Sequence, residues 1–551
     1  LSLAGASLKA RAVRPIVISA QAGISRREGN TPGRRLIHTT PRLHLPIFWL
    51  AAALLGAAAI WLRASGTLRE PLWLDEAYSA YAAGKGWAFL WQIVPRYETH
   101  PPFYYSLLRL WSLGIGDSLP GLRALGIICG IATLPVIAIA ARETSRSLGW
   151  ATPRALILIL TAFALAVLSP SLVEMSREVR PYPVLILVYA TGIAAILRLG
   201  RRMAEGGPLT SAPFALYLAA LALILWLHNL GPLLGFALGL ALLAMVVRRS
   251  LGRADWLWLV GGHLLVLLVY LPALLIMFDQ APTWISSTWL KFSFSQLWLR
   301  LAMLYAVPGA PEALAALVLA LSGCVALGRT AEGRRIGLAL LLTALLPVIL
   351  SVTISALVAP VFIVRTMTPV AIPAVLLMAA GAAGLAGHWR WPALGALLLL
   401  LVQMSAIDLR ARRGPPMQDW YGAVRWLAAR HRPGDIILAY PNEGALPFDR
   451  AARDLKLDLP TRPIPTAVPT LVAPGGWHPT GSRGVVSLPR DQLRAVAVRT
   501  KDRPTVWLLR LGPWAYDKGD VLLQELERGR TRIGDWRSGP IDIIGLRLDD
   551  R

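Results

Sequence analysis

Charge is scarce in this chain, and acid is the scarcer sign. Charged residues make up 16% of 551 positions against 55% hydrophobic, and the mean hydropathy is +0.54. An average soluble domain carries about 25% charged residues, so the composition argues against an ordinary water-soluble enzyme and against a disordered chain. Cysteine is nearly absent. Cys129 and Cys324 both sit inside apolar stretches, where they read as small buried hydrophobes, and no disulfide scaffold can be built from them. Acids number 31 against 56 Lys and Arg, a net charge of +25. Such a balance first suggests nucleic acid, but the excess is spread. Residues 1–45 hold 8 basic and 1 acidic residue, 46–408 hold 24 and 14, and 409–551 hold 24 and 16. No single basic stripe follows a phosphate backbone, so no nucleic-acid partner is expected. The chain also lacks a glycine-rich phosphate loop, a zinc-type Cys/His spacing and a Gly-x-Ser-x-Gly elbow.

What is abundant is apolar sequence in runs long enough to cross a bilayer as helices. They lie at about 46–64, 121–141, 153–173, 181–199, 213–229, 231–247, 255–277, 311–328, 336–358, 364–387 and 391–408. The expectation is a polytopic α-helical membrane protein with about eleven transmembrane helices. No charge lies in the middle of these runs, where ion-coupled transporters usually keep theirs. Five short loops (142–154, 198–210, 248–253, 329–335, 388–390) hold 13 arginines against Glu143, Glu205 and Glu332. The positive-inside rule places them in the cytoplasm and the acidic loops outside. The segment His100–Gly114 is short and rich in aromatics, and reads as a helix lying in the interface. Residues 1–45 read as a basic, disordered cytoplasmic tail. Residues 409–551 change character. Strand-length runs (Ile436–Tyr440, Thr505–Leu511, Ile541–Leu548) alternate with amphipathic helices (Trp420–Arg430, Val521–Arg528), and 459–485 is rich in Pro, Thr and Gly. This predicts a small soluble α/β domain facing the outside.

The polar residues that can carry chemistry gather in the outward loops. The first loop, about 65–120, contains Trp73-Leu74-Asp75-Glu76 and then Glu98-Thr99-His100-Pro101-Pro102. Adjacent carboxylates at an apolar boundary are costly to desolvate, and one of them can serve as general base toward an acceptor hydroxyl. Glu98 and His100 can contribute to a divalent-metal site. Asp75 and Glu76 also suit a helix N-terminus, which needs no chemistry. The second loop packs Glu174, Arg177, Glu178 and Arg180 before Pro181, Tyr182 and Pro183. An arginine there suits a phosphate, although an ion-pair cluster at a helix end explains it too. His228 closes the run from 213. Arg365 is the only cation in a long apolar stretch and needs an anion. Lys291, in the loop 278–310, is a weaker candidate.

The order of the segments WLDEAYSA, YETHPPFYYSLLRLW, SREVRPYPVL, LHNLGPLLG, VRTMTPVAIPAVL and DWYGAVRWLAARHRPGDIILA resembles the bacterial GT-C glycosyltransferases, closest to the branch of protein O-mannosyltransferases and lipid A aminoarabinose transferases. The resemblance covers about residues 46–445. It implies a GT-C enzyme of the bacterial inner membrane, with a periplasmic C-terminal domain. Such an enzyme moves a hexosyl or pentosyl group from a polyprenyl-phosphate carrier to a lipid, glycan or protein acceptor. It implies Asp75 as general base or its organiser, with Glu76 and Glu178 assisting. Arg180 and Arg365, with His100, Tyr182 and His228, would meet the donor and its phosphate, and Glu98 would lie near a metal. Some relatives carry a lysine in the place of His100. Two other classes fit the same composition: a transporter or flippase of lipid-linked sugars, and a non-catalytic envelope assembly protein.

Overall fold

A computed structural model describes residues 44–549, apart from 99, 248, 250, 288–290, 306, 386–388, 471–487 and 518. The basic tail expected at 1–45 lies almost wholly outside the described residues, as does much of the proline-rich stretch 459–485.

Sixteen helices form the first unit: α1 (His44–Ala64), α2 (Leu74–Gly84), α3 (Phe103–Ile115), α4 (Leu119–Ser147), α5 (Thr152–Leu168), α6 (Pro170–Ser176), α7 (Tyr182–Ala204), α8 (Ala212–Leu227), α9 (Gly231–Val246), α10 (Arg253–Ser287), α11 (Leu297–Tyr305), α12 (Ala310–Gly328), α13 (Ala331–Leu357), α14 (Val364–Met367), α15 (Ala371–Gly384) and α16 (Arg390–Ala411). Every one of the eleven expected runs is helical. Among the described residues, eight helices are long and apolar enough to cross a membrane, or nine if the bent pair α5–α6 is one span; α8 and α9 are apolar but shorter. The run at 153–173 is not the straight span expected. It bends by 59° at Ser169, whose extended backbone (φ −65°, ψ 113°) precedes Pro170; a residue before proline is driven out of the helical region. The segment at His100–Gly114 becomes α3, 13 residues long, too short at about 1.5 Å per residue to cross a ~30 Å hydrocarbon layer. It buries Tyr104, Tyr105 and Leu108 and exposes Leu110 and Leu113.

Between helices that gain little from excluding lipid, close packing supplies the attraction. The tightest approach joins α12 to α15, where a Cβ on Gly381 would collide with the Leu319 carbonyl and one on Gly323 with the Leu377 carbonyl. A second approach serves the site. A Cβ on Gly126 of α4 would lie 2.8 Å from the Ser176 carbonyl oxygen and 2.9 Å from that of Glu178, so glycine lets the 176–178 turn settle against α4.

The helix α4 also ties the two ends of the bundle together. Near its N-terminus Arg123 reaches Glu76, and near its C-terminus Glu143 pairs with Arg201 at 2.6 Å. At that second end the arginine-rich loops meet: Arg249 pairs with Glu332 at 2.8 Å, and Arg154 donates to the carbonyls of Ala383 and Gly384.

The second unit follows α16: α17 (Trp420–Ala428), β1 (Ile436–Tyr440), α18 (Ala445–Asp454), β2 (Thr461–Pro463), α19 (Arg490–Arg499), β3 (Thr505–Leu511), α20 (Pro513–Tyr516), α21 (Val521–Glu527), β4 (Arg530–Ser538) and β5 (Ile541–Leu548). The three anticipated strands and two anticipated helices are present. The strands form one sheet in the order β2-β1-β3-β5-β4, with β1 parallel to β2 and β3, and β5 antiparallel to β3 and β4. The short β2 falls inside the stretch expected to be loop. This domain docks onto the end of the bundle that carries α2. Arg450 donates to the Asp117 carbonyl at 2.8 Å, and Tyr81 to the Val468 carbonyl at 2.6 Å.

Candidate active site

The helix α2 begins with its two acids pointing in different directions, because consecutive residues on a helix are about 100° apart. Glu76 turns inward and is 1% exposed. Its Oε1 accepts from the Val179 N–H at 2.9 Å and its Oε2 from the Trp73 N–H at 3.2 Å, with Arg123 Nη2 at 3.4 Å. Burial pushes its carboxyl up, while Arg123 and the two N–H groups pull it back. Arg123 also donates to the carbonyls of Thr67 and Pro71. One carboxylate thus pins three segments: the start of α2, the 177–181 turn and α4. Both oxygens of Glu76, which was expected among the catalytic acids, are engaged within the scaffold.

Asp75 turns the other way, toward two arginines that arrive from far along the chain. Arg365, at the start of α14, donates through Nη2 to Asp75 Oδ2 at 3.0 Å. Arg180, just before α7, brings Nη2 to 3.9 Å from the same oxygen, and its Nη1 lies 3.4 Å from both the Asp75 carbonyl oxygen and Ser79 Oγ. Aromatic faces complete the walls: Arg365 lies 4.9 Å from the Trp73 ring centre, and both arginines lie 5.9 Å from that of Tyr182, within cation–π reach. The anion that Arg365 was expected to need is Asp75, which it shares with the buried Arg180. The Nε of each is buried with no hydrogen-bond acceptor, so each retains a donor.

Glu178 stands in the same turn as Arg180. Its Oε2 is buried without a hydrogen-bond partner, and burial, then the charge of Glu76, pushes its carboxyl up to about 8. Its uncharged form is therefore favoured at neutral pH. Among the described residues Asp75 is the carboxylate that lies within 4 Å of both guanidiniums, while Glu174 acts on Arg365 and Glu98 on Arg180 from farther away.

Beside it runs a chain of hydrogen bonds. His228 Nδ1 accepts from the Leu230 N–H at 3.0 Å, so the proton of its neutral ring sits on Nε2. That Nε2 lies 3.2 Å from His100 Nε2, and His100 Nδ1 lies 2.8 Å from Glu98 Oε1. Burial, with His100 alongside, holds His228 well below the usual histidine range. The polarity follows: His228 donates to His100, and His100 donates to Glu98. This arrangement does not suit the metal suggested for Glu98. The Nε2 lone pair of His100 is directed at His228, and among the described residues no three His, Cys, Asp or Glu are grouped to hold an ion.

Of the other sequence candidates, Tyr182 and His228 line the cluster, with ring centres 5.9 Å apart. Lys291 is exposed, and its carbonyl accepts from Arg300; it is not brought to Asp75. Sequence reasoning missed Arg123, Ser79, Trp73 and Gln418. An arginine three residues into an apolar run was a signal for Arg123. Gln418, in the linker before α17, accepts from the Leu74 N–H at 3.1 Å and from Trp420 Nε1 at 2.9 Å, and nothing local announces it.

No protein-family model matches the chain, and no curated protein sequence does. Solved structures do. ArnT from Cupriavidus metallidurans in the apo state superposes with a TM-score of 0.55 at 13% identity, covering 91% of this chain and 97% of that one. The same protein bound to undecaprenyl phosphate gives 0.51 at 14% identity, covering 91% and 98%. This likeness runs through both units and establishes the fold: a bundle of long apolar helices able to cross a membrane, followed by a small C-terminal α/β domain, as in ArnT.

Proposed function

We propose that the protein is a glycosyltransferase that takes a hexosyl or pentosyl group from a polyprenyl-phosphate carrier and passes it to an acceptor hydroxyl at the outer face of the bacterial inner membrane. The observation that carries this reading is the Asp75 cluster, with two guanidiniums on one carboxylate and two remaining Nε–H donors beside a membrane-embedded bundle. A fold-mate crystallised with undecaprenyl phosphate supports the class of carrier. The arginine-rich loops gathered at the opposite end of the bundle support an outward-facing site.

The chemistry follows from where charge develops. Breaking the anomeric C–O bond sends its electron pair to the leaving phosphate and leaves positive character on the sugar. Arg180 and Arg365 face that phosphate and stabilise its charge. In the resting arrangement Asp75 occupies them. An arriving phosphate competes for the same guanidiniums and releases the Asp75 carboxylate, which then accepts the acceptor's hydroxyl proton as the new C–O bond forms. One in-line displacement inverts the anomeric centre. Glu178, in its uncharged form, can donate a hydrogen bond to a sugar or phosphate oxygen, and the Glu98–His100–His228 chain holds the wall beside it.

The test is release of free undecaprenyl phosphate from undecaprenyl-phosphate sugars by the purified protein, with the sugar chosen by mass spectrometry of co-purifying lipid. Acceptor-dependent release supports the reading. Movement of the intact donor across a vesicle membrane without release replaces it with transport.

A further inference from the structure

The helix that carries Asp75 takes part of its N-terminal cap from a residue 344 positions away. A helix leaves its first N–H groups without intrahelical partners, and the side chain at the N-cap ordinarily accepts from one of them. In α2 that place belongs to Trp73, whose backbone is extended and whose side chain makes no cap hydrogen bond; an indole donates and does not accept. Glu76 takes the Trp73 N–H. The next N–H, that of Leu74, goes to Gln418 Oε1 at 3.1 Å. Leu74 is the first residue of α2 and Asp75 the second.

Gln418 is itself held in place. Its Oε1 also accepts from Trp420 Nε1 at 2.9 Å, and its carbonyl from the Trp420 N–H at 3.0 Å. Both partners of Oε1 are donors, which fixes the orientation of the carboxamide. Trp420 is fully buried in the first turn of α17, where Asp419 caps the helix through the Gly422 N–H at 2.8 Å. From the sheet, the β4–β5 turn closes on the preceding residue: a Cβ on Gly539 would lie 2.7 Å from the Met417 carbonyl oxygen. The acceptor offered to Leu74 is therefore set by the packing of the C-terminal domain. The domain also holds α2 farther along, where Tyr81 donates to the Val468 carbonyl at 2.6 Å.

Asp75 follows directly on the capped residue, while the two arginines it faces come from the starts of α7 and α14. Where its carboxylate lies relative to that pair depends on the direction of the first turn of α2. A misplacement of about 1 Å at a reacting group can cost about 10²-fold in rate.

We propose that Gln418 is a positioning residue of the transfer: by capping the first turn of α2 from the C-terminal domain, it aims the Asp75 carboxylate between Arg180 and Arg365. Its part in the reaction rests on the transferase reading; the cap does not.

The experiment applies two readouts to the full-length purified protein. Gln418→Met keeps the side-chain length and removes the acceptor. Deuterium exchange over residues 73–78 should quicken in this variant, with exchange in α12 as in the wild type. Gln418→Glu, whose carboxylate accepts from both N–H groups, should restore the slow exchange. In the release assay with an undecaprenyl-phosphate sugar, Gln418→Met should lower kcat about ten-fold with the donor KM little changed, and Gln418→Glu should keep most of the activity. In an Asp75→Asn background the same Gln418→Met change should cost almost nothing, because it acts through Asp75; a merely structural role would cost as much in both backgrounds. Unchanged exchange over 73–78, exchange quickened throughout the bundle, or an equal loss of kcat with and without Asp75 would overturn the proposal. Local quickening in Gln418→Met, in a protein whose wild type never releases undecaprenyl phosphate, would sink the transferase reading and leave the cap standing.

Discussion

Around Asp75 two guanidiniums share one carboxylate, whereas around Arg510 one guanidinium faces three. Both clusters use the same two residue types, and both are largely withdrawn from water. They differ in the ratio of the two. In the membrane-unit cluster one carboxylate lies within 4 Å of two guanidiniums, and burial pushes the nearby Glu178 carboxyl up to about 8, toward its uncharged form. The domain cluster is rich in carboxylate and closes around its arginine. On the proposed reading such an imbalance in a low-dielectric setting acts as selectivity: the first would attract a phosphate and the second would repel one. The comparison teaches that the balance of arginine against acid, more than the presence of arginine, marks an anion site.

The largest expected effect comes from removing the shared carboxylate. Asp75→Asn should lower turnover about 10²–10⁴-fold, the usual worth of a general base, with the protein still folded. Single-turnover release of undecaprenyl phosphate measures this, and near wild-type release would pass the base role to Glu98. Next is Glu76→Gln. Its amide must set an N–H donor against the Val179 or Trp73 N–H, a mismatch costing about 1–3 kcal/mol. The apparent melting temperature should fall while turnover falls less than in Asp75→Asn. A loss of activity equal to that of Asp75→Asn in a protein of unchanged stability would restore a catalytic part to Glu76.

The smallest effect is on pH dependence. With its folded value near 8 against an ordinary 4.5, Glu178 keeps its proton in the folded state while the unfolded chain loses it. Folding stability should therefore decline as pH rises from about 4.5 to about 8. Glu178→Gln should remove that slope, so melting temperatures of wild type and variant should converge at the acid end of the window. Parallel curves across the window would show that Glu178 titrates normally.

Much of this was legible in the sequence, and the remainder has a physical reason. Long apolar runs announced every helix of the bundle except α2, α3 and α11, because spanning a bilayer constrains composition over many consecutive residues. Asp75, Arg180 and Arg365 were each visible as polar residues in apolar surroundings. Their meeting was not, since Arg365 lies 290 positions from Asp75 and no local pattern encodes the pairing. The opposite fates of Asp75 and Glu76 turn on which face of α2 meets Arg123 and the 177–181 turn. The bend at Ser169 was readable from Pro170, yet the apolar run on both sides masked it. In the C-terminal domain β4 escaped notice because its burial is intermittent along the strand, as befits an edge strand that leaves no strong hydrophobic period.

The central claim, that the Asp75 cluster is an arginine pair short of its anion, is tested most directly by the affinity of undecaprenyl phosphate itself, measured without sugar or acceptor in three proteins. Arg365→Ala should weaken binding about 10–100-fold, the worth of a charge-assisted hydrogen bond. Asp75→Asn should bind at least as tightly as wild type, because the competing carboxylate is gone. Opposite shifts in the two variants are the predicted result; a parallel loss of affinity in both would contradict the account.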